Sequence, residues 1–512
     1  MRAVILLLIA FLYLHTGAQG QQAGASPSPS PAASPQKSAE PPKAEEAPVA
    51  TKHELRVGGK LIRYTATVGM MPIKNREGET EARIFYTTYV ADNAGSSAQR
   101  PLTFSFNGGP GSASVWLHLG AIGPKRVKML PDGLMPAPFY QLVDNDATWL
   151  DQTDLVFIDP VRTGYSRAAK PELAQKFFGL NGDIESVGEF IRMYLTRYER
   201  WTSPLFLAGE SYGTTRAAAL SGYLIDRGIA FNGIVLVSTV MNFETLLFAP
   251  GNDLPYAVIL PSYTATAWYH KKLPPDLQSQ PLTQILPEVE RWTANEYTVA
   301  LAKGDSLPAP EKQEVINKLA RFTGLDARFI ENSNLRVSLN LFRKELLRSE
   351  KRMIGRLDSR FKGYDANFAT DSPDFDPSEA AIRPPYTTTF NQYIRSELGY
   401  KTDLEYYILG GGITSPWNWN TNNAFVDTST ALRNAIVKNP YLKIYVACGY
   451  YDMATPYFAA NYTINHIAMD PSLRKNFSTG YYEAGHMMYI DEKSLGRLRA
   501  DVEKFMQDAL RR

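Results

Sequence analysis

The sequence predicts an α/β fold with a mostly parallel central sheet, helices on both faces and a mainly helical insertion. Beyond residue 54, short runs rich in β-branched and aromatic residues alternate with helical stretches, which favours an α/β domain. Several of these runs are continuously apolar, which is typical of strands covered on both faces. The stretch 246–400 differs, because it carries helical signals and no strong strand pattern.

The predicted elements can be given in chain order. Strands are expected at 54–67 with a turn at Gly58-Gly59, 82–90, 102–106, 155–158, 204–208, 233–239, 442–448 and 478–482. Helices are expected at 183–200 and 212–227, and within the insertion at 284–303, 311–322 and 334–351. The sheet strands therefore come from 51–245 and 401–512, which we interpret as one α/β domain interrupted by a helical cap at 246–400.

The first fifty residues predict an export signal followed by a linker. Met1-Arg2 gives a positive start and Ala3–Leu14 an apolar run, and small residues follow it. This run is shorter than the roughly 20 apolar residues that span a bilayer, so we expect a signal peptide at 1–20, with an uncleaved anchor as the alternative. Residues 21–50 are almost all Gln, Ala, Ser, Pro, Lys and Glu, which predicts a disordered linker. We expect a periplasmic or secreted protein without a later membrane span.

Composition excludes several classes of function. The 512 residues carry 54 Lys and Arg against 52 Asp and Glu, a net charge of +2, which gives no footprint for nucleic acid or an anionic membrane. One cysteine excludes an intrachain disulfide and a cysteine-rich zinc site. No His-Glu-x-x-His run is present, so we expect neither a metal nor another cofactor. Composition leaves the oligomeric state open.

A serine stands between a predicted strand and a predicted helix, with a glycine two positions away on either side. The run Gly209-Glu210-Ser211-Tyr212-Gly213 follows an apolar stretch and leads into small residues. A serine at the tip of such a sharp turn projects its hydroxyl above the sheet, and the glycines relieve the crowding. This context predicts a nucleophile elbow at Ser211, and a chance match in a loop is the alternative.

A serine hydroxyl needs a base, and on the α/β-hydrolase fold an acid and then a histidine follow the serine in the chain. His486 lies where a predicted strand opens into a glycine turn, whereas His466 lies in a helical stretch and is the weaker candidate. Asp452 follows the strand 442–448, at the edge where open α/β sheets keep their sites. We expect Asp452 to accept the Nδ1 proton of His486, although an Asp there could simply cap the next helix.

The negative oxygen of an attacked carbonyl needs two aimed donors. The backbone N–H of Tyr212 supplies one by the geometry of the elbow. The loop Asn107-Gly108-Gly109-Pro110-Gly111 follows the predicted strand 102–106 and could supply the other. Pro110 has no N–H, so Gly108 or Gly109 must donate.

Together these motifs resemble the serine carboxypeptidases, peptidase family S10. The resemblance covers about residues 55 to 510 and rests on Asn107–Gly111, Gly209–Gly213, Gly449-x-x-Asp452 and Gly485-His486-Met487. The lone Cys448 makes the chain similar to bacterial-type members. The resemblance implies the α/β-hydrolase fold and a serine-type carboxypeptidase. Such an enzyme removes C-terminal residues of peptides through an acyl-enzyme.

The resemblance also implies a role for each matching residue. It makes Ser211 the nucleophile, His486 the base and Asp452 the orienting acid, with Gly109 and Tyr212 as the oxyanion hole and Asn107, Gly108 and Glu210 as the binding site of the terminal carboxylate. Met487, Trp116 and Tyr212 are candidates for lining the pocket under the cap.

Glu210 can donate a hydrogen bond to a carboxylate only when it is protonated, so its pKa must be raised by burial or by a like charge. Many members of the family carry a second Glu at the position of Ala121, and that like charge is absent here. We therefore expect a less acidic pH optimum or an altered recognition of the substrate terminus.

Two other functions stay open on the sequence. An esterase or acyltransferase could use the same fold and the same residues, because a fold alone does not give a function. A non-catalytic exported binding protein could retain the scaffold, although intact Ser211, Asp452 and His486 argue against it. The expected partner is a peptide or a small peptide-like substrate.

Overall fold

The computed structural model describes residues 47–92 and 99–511. The predicted signal segment 1–20 lies outside the described residues, as does most of the predicted linker 21–50. The first strand begins at Val49, so the last two residues of that predicted linker belong to a strand. In the described ranges, no helix combines the length and the apolar character needed to cross a membrane.

The strands lie close to the predicted positions, and the predicted run 54–67 is a hairpin that turns at Gly58-Gly59. The described strands are β1 (Val49–Val57), β2 (Lys60–Lys74), β3 (Thr80–Ala91), β4 (Leu102–Phe106), β5 (Lys125–Val127), β6 (Leu142–Asp144), β7 (Asp154–Ile158), β8 (Arg167–Ala168), β9 (Leu205–Ser211), β10 (Gly233–Thr239), β11 (Met353–Ile354), β12 (Lys362–Gly363), β13 (Lys443–Gly449) and β14 (Phe477–Tyr482).

The central sheet has the strand order β1-β2-β3-β7-β4-β9-β10-β13-β14, and β8 pairs with β3. Neighbours from β7 through β14 pair in parallel, whereas β1, β2 and β3 are antiparallel and form one edge. Every residue of β4, β7 and β10 is buried, which explains their continuous apolar runs. The carboxyl ends of the parallel strands therefore share one edge of the sheet.

The helices complete the fold around this sheet. The described α-helices are α1 (Val115–Leu117), α2 (Leu180–Arg197), α3 (Tyr212–Ile225), α4 (Leu254–Tyr269), α5 (Pro275–Gln278), α6 (Leu282–Trp292), α7 (Thr298–Lys303), α8 (Ala309–Thr323), α9 (Ala327–Asn332), α10 (Leu339–Glu345), α11 (Pro377–Ser396), α12 (Ser429–Lys438), α13 (Tyr457–Asn465) and α14 (Glu492–Leu510).

Alternate residues of one strand face opposite layers of helices. In β10, Ile234 and Leu236 pack in a cluster with α2, α3 and α12. Val235 and Val237 pack in a second cluster with α11 and α14. Burial on both faces follows from this arrangement, because side chains alternate along a strand.

The chain between β10 and β13 is mostly helical, and part of it has an apolar cluster of its own. This cluster joins α4 to residues of α6, α8 and α10. The helix α11 lies outside the predicted helices, since Pro384 and Pro385 stand inside it. The described residues form one compact unit, so the domain boundaries at 246 and 400 stay a prediction.

Candidate active site

Ser211 ends β9 and directly precedes α3, as the elbow motif predicts. Its backbone has φ 60° and ψ −130°, a sparsely populated conformation that costs on the order of 1–3 kcal/mol. A Cβ atom on Gly209 would lie 2.3 Å from the Gly213 oxygen, and one on Gly213 would lie 2.9 Å from the Phe106 oxygen. The turn therefore requires glycine on both sides of the serine.

Asp452 and His486 come from separate loops and meet in the interior. His486 Nδ1 lies 2.7 Å from Asp452 Oδ2, which also accepts a hydrogen bond from the Thr455 hydroxyl at 2.6 Å. Asp452 Oδ1 accepts from the N–H groups of Ala454 and Thr455 at 2.8 and 2.9 Å, so the carboxylate also caps its own turn. With Nδ1 donating to Asp452, Nε2 keeps the lone pair that a base needs.

Two opposing effects act on the His486 imidazole. Burial disfavours the charged ring, whereas the charge of Asp452 and the hydrogen bond to it favour that ring. The net result is that the pKa of His486 is raised above its ordinary value. An imidazolium formed beside Asp452 is thus stabilised.

A cavity of about 180 Å³ brings most of the predicted site residues together. Its lining includes Asn107, Gly108, Gly109, Trp116, Glu210, Ser211, His486 and Met487. No hydrogen bond from Ser211 to His486 is recorded among the described residues, and such bonds are often long in unliganded enzymes.

The Tyr212 side chain departs from the prediction. It does not contribute to the lining of this cavity within the described part of the chain. Its ring packs against Trp417 and Trp419, and its hydroxyl donates to Asp183 at 3.0 Å. The expectation that the ring lines the pocket is therefore wrong, because Trp417, Trp419 and Asp183 hold the side chain away from it. Only its backbone N–H remains a candidate donor.

The loop after β4 presents a backbone donor beside Ser211. Among the described residues, nothing accepts a hydrogen bond from the Gly109 N–H, and Gly109 lines the cavity. An unpaired N–H beside a nucleophile is what an oxyanion hole needs. In the same described ranges, no group of three or more His, Cys, Asp or Glu side chains is placed to hold a metal ion.

Glu210 is a buried carboxyl next to Ser211, with 3% of its surface exposed. Burial raises its pKa to about 7, and the charge of Asp452 also raises it. His486 and hydrogen bonds from Tyr489 and Asn107 oppose this rise. Burial, with a smaller contribution from Asp452, thus raises the pKa of Glu210 although position 121 is an alanine. Near neutral pH a large fraction of Glu210 is protonated.

The part of the site around Ser211, which we call the serine side, is held in place by a buried ion pair. Arg216 Nε lies 2.8 Å from Asp183 Oδ2, and the two side chains are 1% and 3% exposed. Arg216 Nη1 also donates to the Asn107 carbonyl at 2.6 Å, and the Tyr212 hydroxyl donates to the same Asp183 oxygen. The loop after β4 is therefore tied to α2 and α3.

The part of the site around His486 and Asp452, which we call the histidine side, is held in place by residues 354–361. These residues lie in the inserted part of the chain. The His486 N–H donates to the Leu357 carbonyl at 2.6 Å, and the Gly485 N–H donates to Asp358 Oδ2 at 3.1 Å. Arg360 Nη1 donates to the Glu483 carbonyl at 3.3 Å, and the Met453 N–H donates to the Arg356 carbonyl at 3.1 Å. Arg360 also pairs with Asp358 at 2.7 Å and with Asp491 at 3.3 Å. The 354–361 segment thus holds both the aspartate loop and the histidine loop.

Sequence reasoning missed part of the cavity wall. The remaining lining residues are Pro110, Ser112, Arg356, Leu357, Glu379, Ile382 and Leu409. Most of these lie 140 or more positions from Ser211, in the insertion or just after it. No local pattern marks the five from Arg356 onward, because their place depends on how the insertion packs, whereas Pro110 and Ser112 lie in or beside the predicted loop Asn107–Gly111.

Comparison with known proteins identifies the family of the chain. The family profile described as "Serine carboxypeptidase" matches residues 64–498. The chain belongs to the serine carboxypeptidase family. The matched range contains every residue of the cavity lining and the Asp452–His486 pair.

Individual relatives match shorter stretches. Pheromone-processing carboxypeptidase KEX1 of Saccharomyces cerevisiae is 29% identical over 155 residues, which cover 28% of this chain and 20% of that protein. Serine carboxypeptidase-like 11 of Arabidopsis thaliana is 28% identical over 145 residues, which cover 28% of this chain and 32% of that protein. The chain thus aligns with less than a third of the yeast relative and about a third of the plant one.

A solved structure supports the fold over most of the chain. The crystal structure of a prohormone-processing carboxypeptidase from Saccharomyces cerevisiae, KEX1(delta)p, superimposes with a TM-score of 0.50 at 17% identity. The match covers 87% of this chain and 92% of that one. The α/β-hydrolase fold predicted from the sequence is therefore confirmed.

Proposed function

We propose that this member of the family is a serine carboxypeptidase that hydrolyses the last peptide bond of its substrate. Ser211 Oγ attacks the carbonyl carbon while His486 takes its proton, and Asp452 stabilises the imidazolium. The N–H groups of Gly109 and Tyr212 bind the oxyanion. The raised pKa of His486 supports this role, since the ring must hold a proton in the transition state.

The reaction has two halves, acylation of Ser211 and hydrolysis of the acyl-enzyme. The C–N bond breaks, the proton on His486 passes to the leaving amine, and the shortened peptide remains esterified to Ser211. Water then gives a proton to His486 and its hydroxide to the acyl carbon, the bond from the acyl carbon to Ser211 Oγ breaks, and the proton passes from His486 to Oγ. The net reaction is peptide plus water to shortened peptide plus a free amino acid.

The leaving amino acid carries a carboxylate, and we propose that Asn107, Gly108 and Glu210 bind it. A protonated Glu210 donates a hydrogen bond to this carboxylate, whereas an ionised one repels it. The cavity of about 180 Å³ is smaller than the roughly 300–1,000 Å³ of sites for drug-sized ligands, which suits a single terminal residue.

One observation carries the proposal: a single cavity is lined by a serine on a strained elbow, an aspartate-paired histidine and a buried carboxyl. The test compares N-blocked dipeptides with their C-terminally amidated versions, using the full chain. We expect faster cleavage of the free acid. An organophosphonate should label Ser211, and Ser211→Ala should abolish both labelling and turnover.

The same experiment also tests the two alternative functions. Equal turnover of acid and amide, with simple esters cleaved faster, would support an esterase or acyltransferase instead. The absence of both turnover and labelling would support a non-catalytic binding protein instead. Export of the chain stays a prediction from residues 1–20.

A further inference from the structure

The carboxyl of Glu210 has a partner that the sequence did not indicate. The hydroxyl of Tyr489 donates a hydrogen bond to Glu210 Oε2. Tyr489 lies in the short turn Met488–Ile490 that follows His486, and it is 2% exposed. Because both side chains are buried, water does not compete for this contact.

The neighbouring Asn107 favours this direction of the hydrogen bond. The Leu117 N–H donates to Asn107 Oδ1 at 3.0 Å, so the amide nitrogen of Asn107 is the arm that contacts Glu210 and Tyr489. An amide nitrogen only donates, so the Tyr489 oxygen accepts from it, which leaves the Tyr489 proton available for its hydrogen bond to Glu210 Oε2. In this arrangement Glu210 Oε2 accepts a hydrogen bond, and the carboxyl proton is left to Oε1.

The packing around Tyr489 leaves room for this arrangement. A Cβ atom on Gly120 would lie 2.4 Å from Tyr489 Cε2 and 2.6 Å from the Tyr386 hydroxyl oxygen. Gly120 therefore lets the two rings pack against the turn at 118–122. A larger residue at this position would displace the hydroxyl from Glu210.

Other groups also face Glu210. Among the described residues, the charges and hydroxyls of His486, Asp452, Tyr489 and Tyr386 interact with it, and the charged side chains of Arg356 and Glu379 line the same cavity. Tyr386 belongs to α11 and makes no recorded hydrogen bond to Glu210 among the described residues. It is a matched control for Tyr489, because it is also a buried tyrosine beside the same carboxyl.

We propose that Tyr489 is a positioning residue that occupies Oε2 of Glu210 and so assigns the carboxyl proton to Oε1, from which it is donated to the terminal carboxylate of a substrate. This inference rests on the proposed carboxypeptidase function. Tyr489 also favours the ionised form of Glu210, because it donates to the oxygen that carries the charge. The side chain thereby sets both the strength and the upper pH limit of carboxylate recognition.

The test measures kcat/KM for an N-blocked dipeptide and its amide from about pH 5 to about pH 9 in three proteins: wild type, Tyr489→Phe and Tyr386→Phe. In Tyr489→Phe we expect the acid-to-amide ratio to fall about tenfold at low pH, the effect of losing a hydrogen bond to a charged or acidic group. The pH above which the remaining preference disappears should rise by about one unit. In Tyr386→Phe the ratio and this pH should match wild type.

The outcomes separate the inference from the proposed function. A wild type without preference for the free acid defeats the proposed function and this inference with it. A wild type with that preference, but a Tyr489→Phe protein whose ratio and pH limit match Tyr386→Phe, overturns the inference alone. Equal losses on acid and amide with an unmoved pH limit also overturn it, since that pattern indicates a structural role.

A second measurement needs no Tyr489 variant. Infrared difference spectra between low and high pH, with Glu210→Gln to assign the band, report the C=O stretch of protonated Glu210. We expect the lowered frequency of a carbonyl that accepts a hydrogen bond. A band at the frequency of a free carbonyl would overturn the inference.

Discussion

The serine side and the histidine side of the site are held by different parts of the molecule. On the serine side, Arg216 and Asp183 tie the loop after β4 to α2 and α3, all within the first 225 residues. On the histidine side, the 354–361 segment of the insertion holds the loops that carry Asp452 and His486. The proposed nucleophile, Ser211, thus depends on the sheet and its own helices, whereas the proposed acid and base, Asp452 and His486, depend also on the insertion.

The largest expected effect comes from breaking the acid–base pair itself. Asp452→Asn should lower kcat by about 10⁴-fold, because an amide nitrogen facing Nδ1 selects the wrong tautomer of His486. The amide oxygen can still cap Ala454 and Thr455, so the unfolding midpoint should change little. A decrease in kcat of less than about tenfold would contradict the role of Asp452.

The serine side is tested by Arg216→Lys. A lysine keeps the charge but cannot hold both Asp183 and the Asn107 carbonyl, so the oxyanion loop loses its tie. We expect the free energy of unfolding to fall by about 3 kcal/mol and kcat/KM by about 10²-fold. Urea unfolding and steady-state kinetics measure the two effects. Unchanged kinetics in a destabilised variant would show that the ion pair serves stability alone.

The histidine side is tested by Arg360→Gln. Arg360 joins Asp358, Asp491 and the Glu483 carbonyl, so its loss should loosen the histidine loop. We expect kcat to fall about tenfold with KM changed less than about twofold, because the chemistry rather than binding is misaligned. The matched control is Arg352→Gln, at an exposed arginine just before the segment. Equal effects of the two substitutions would remove the difference between the two sides.

The smallest expected effect is on the pH dependence of the preference for free-acid substrates. Glu210 has a pKa of about 7, so its proton is present below that pH and lost above it. Preference for free-acid substrates should therefore fall as the pH rises through about 7. In Glu210→Gln the preference should be about fivefold to tenfold weaker at acidic pH and should no longer vary with pH, since an amide donates at every pH. A pH profile unchanged by this substitution would count against Glu210.

The difference between the two sides also explains how much the sequence could predict. Ser211 with its glycines forms one contiguous pattern whose geometry follows from local crowding, and the continuous apolar strands around it mark the sheet. His486 and Asp452 could be found by their order and by the strands before them. Their support by Leu357 and Arg360 could not, because those contacts join residues more than 120 positions apart.

Two further features could not be predicted from the sequence, for the same physical reason. Tyr489 follows His486 closely, but only the folded turn aims its hydroxyl at Glu210. The helix α11 contains Pro384 and Pro385, which argue against a helix in the sequence, yet it supplies Glu379 and Ile382 to the cavity. Tertiary packing overrides local propensity at such places.

The 354–361 segment has a consequence for protein engineering. Insertions on this fold invite exchange between relatives, since they form part of the wall around the substrate. In this protein, the same stretch of backbone also fixes the position of His486, the proposed general base. A chimaera that replaces the whole insertion would lose activity even with an open, well-shaped pocket. A graft that keeps these eight residues and joins the donor helices on either side would separate selectivity from chemistry.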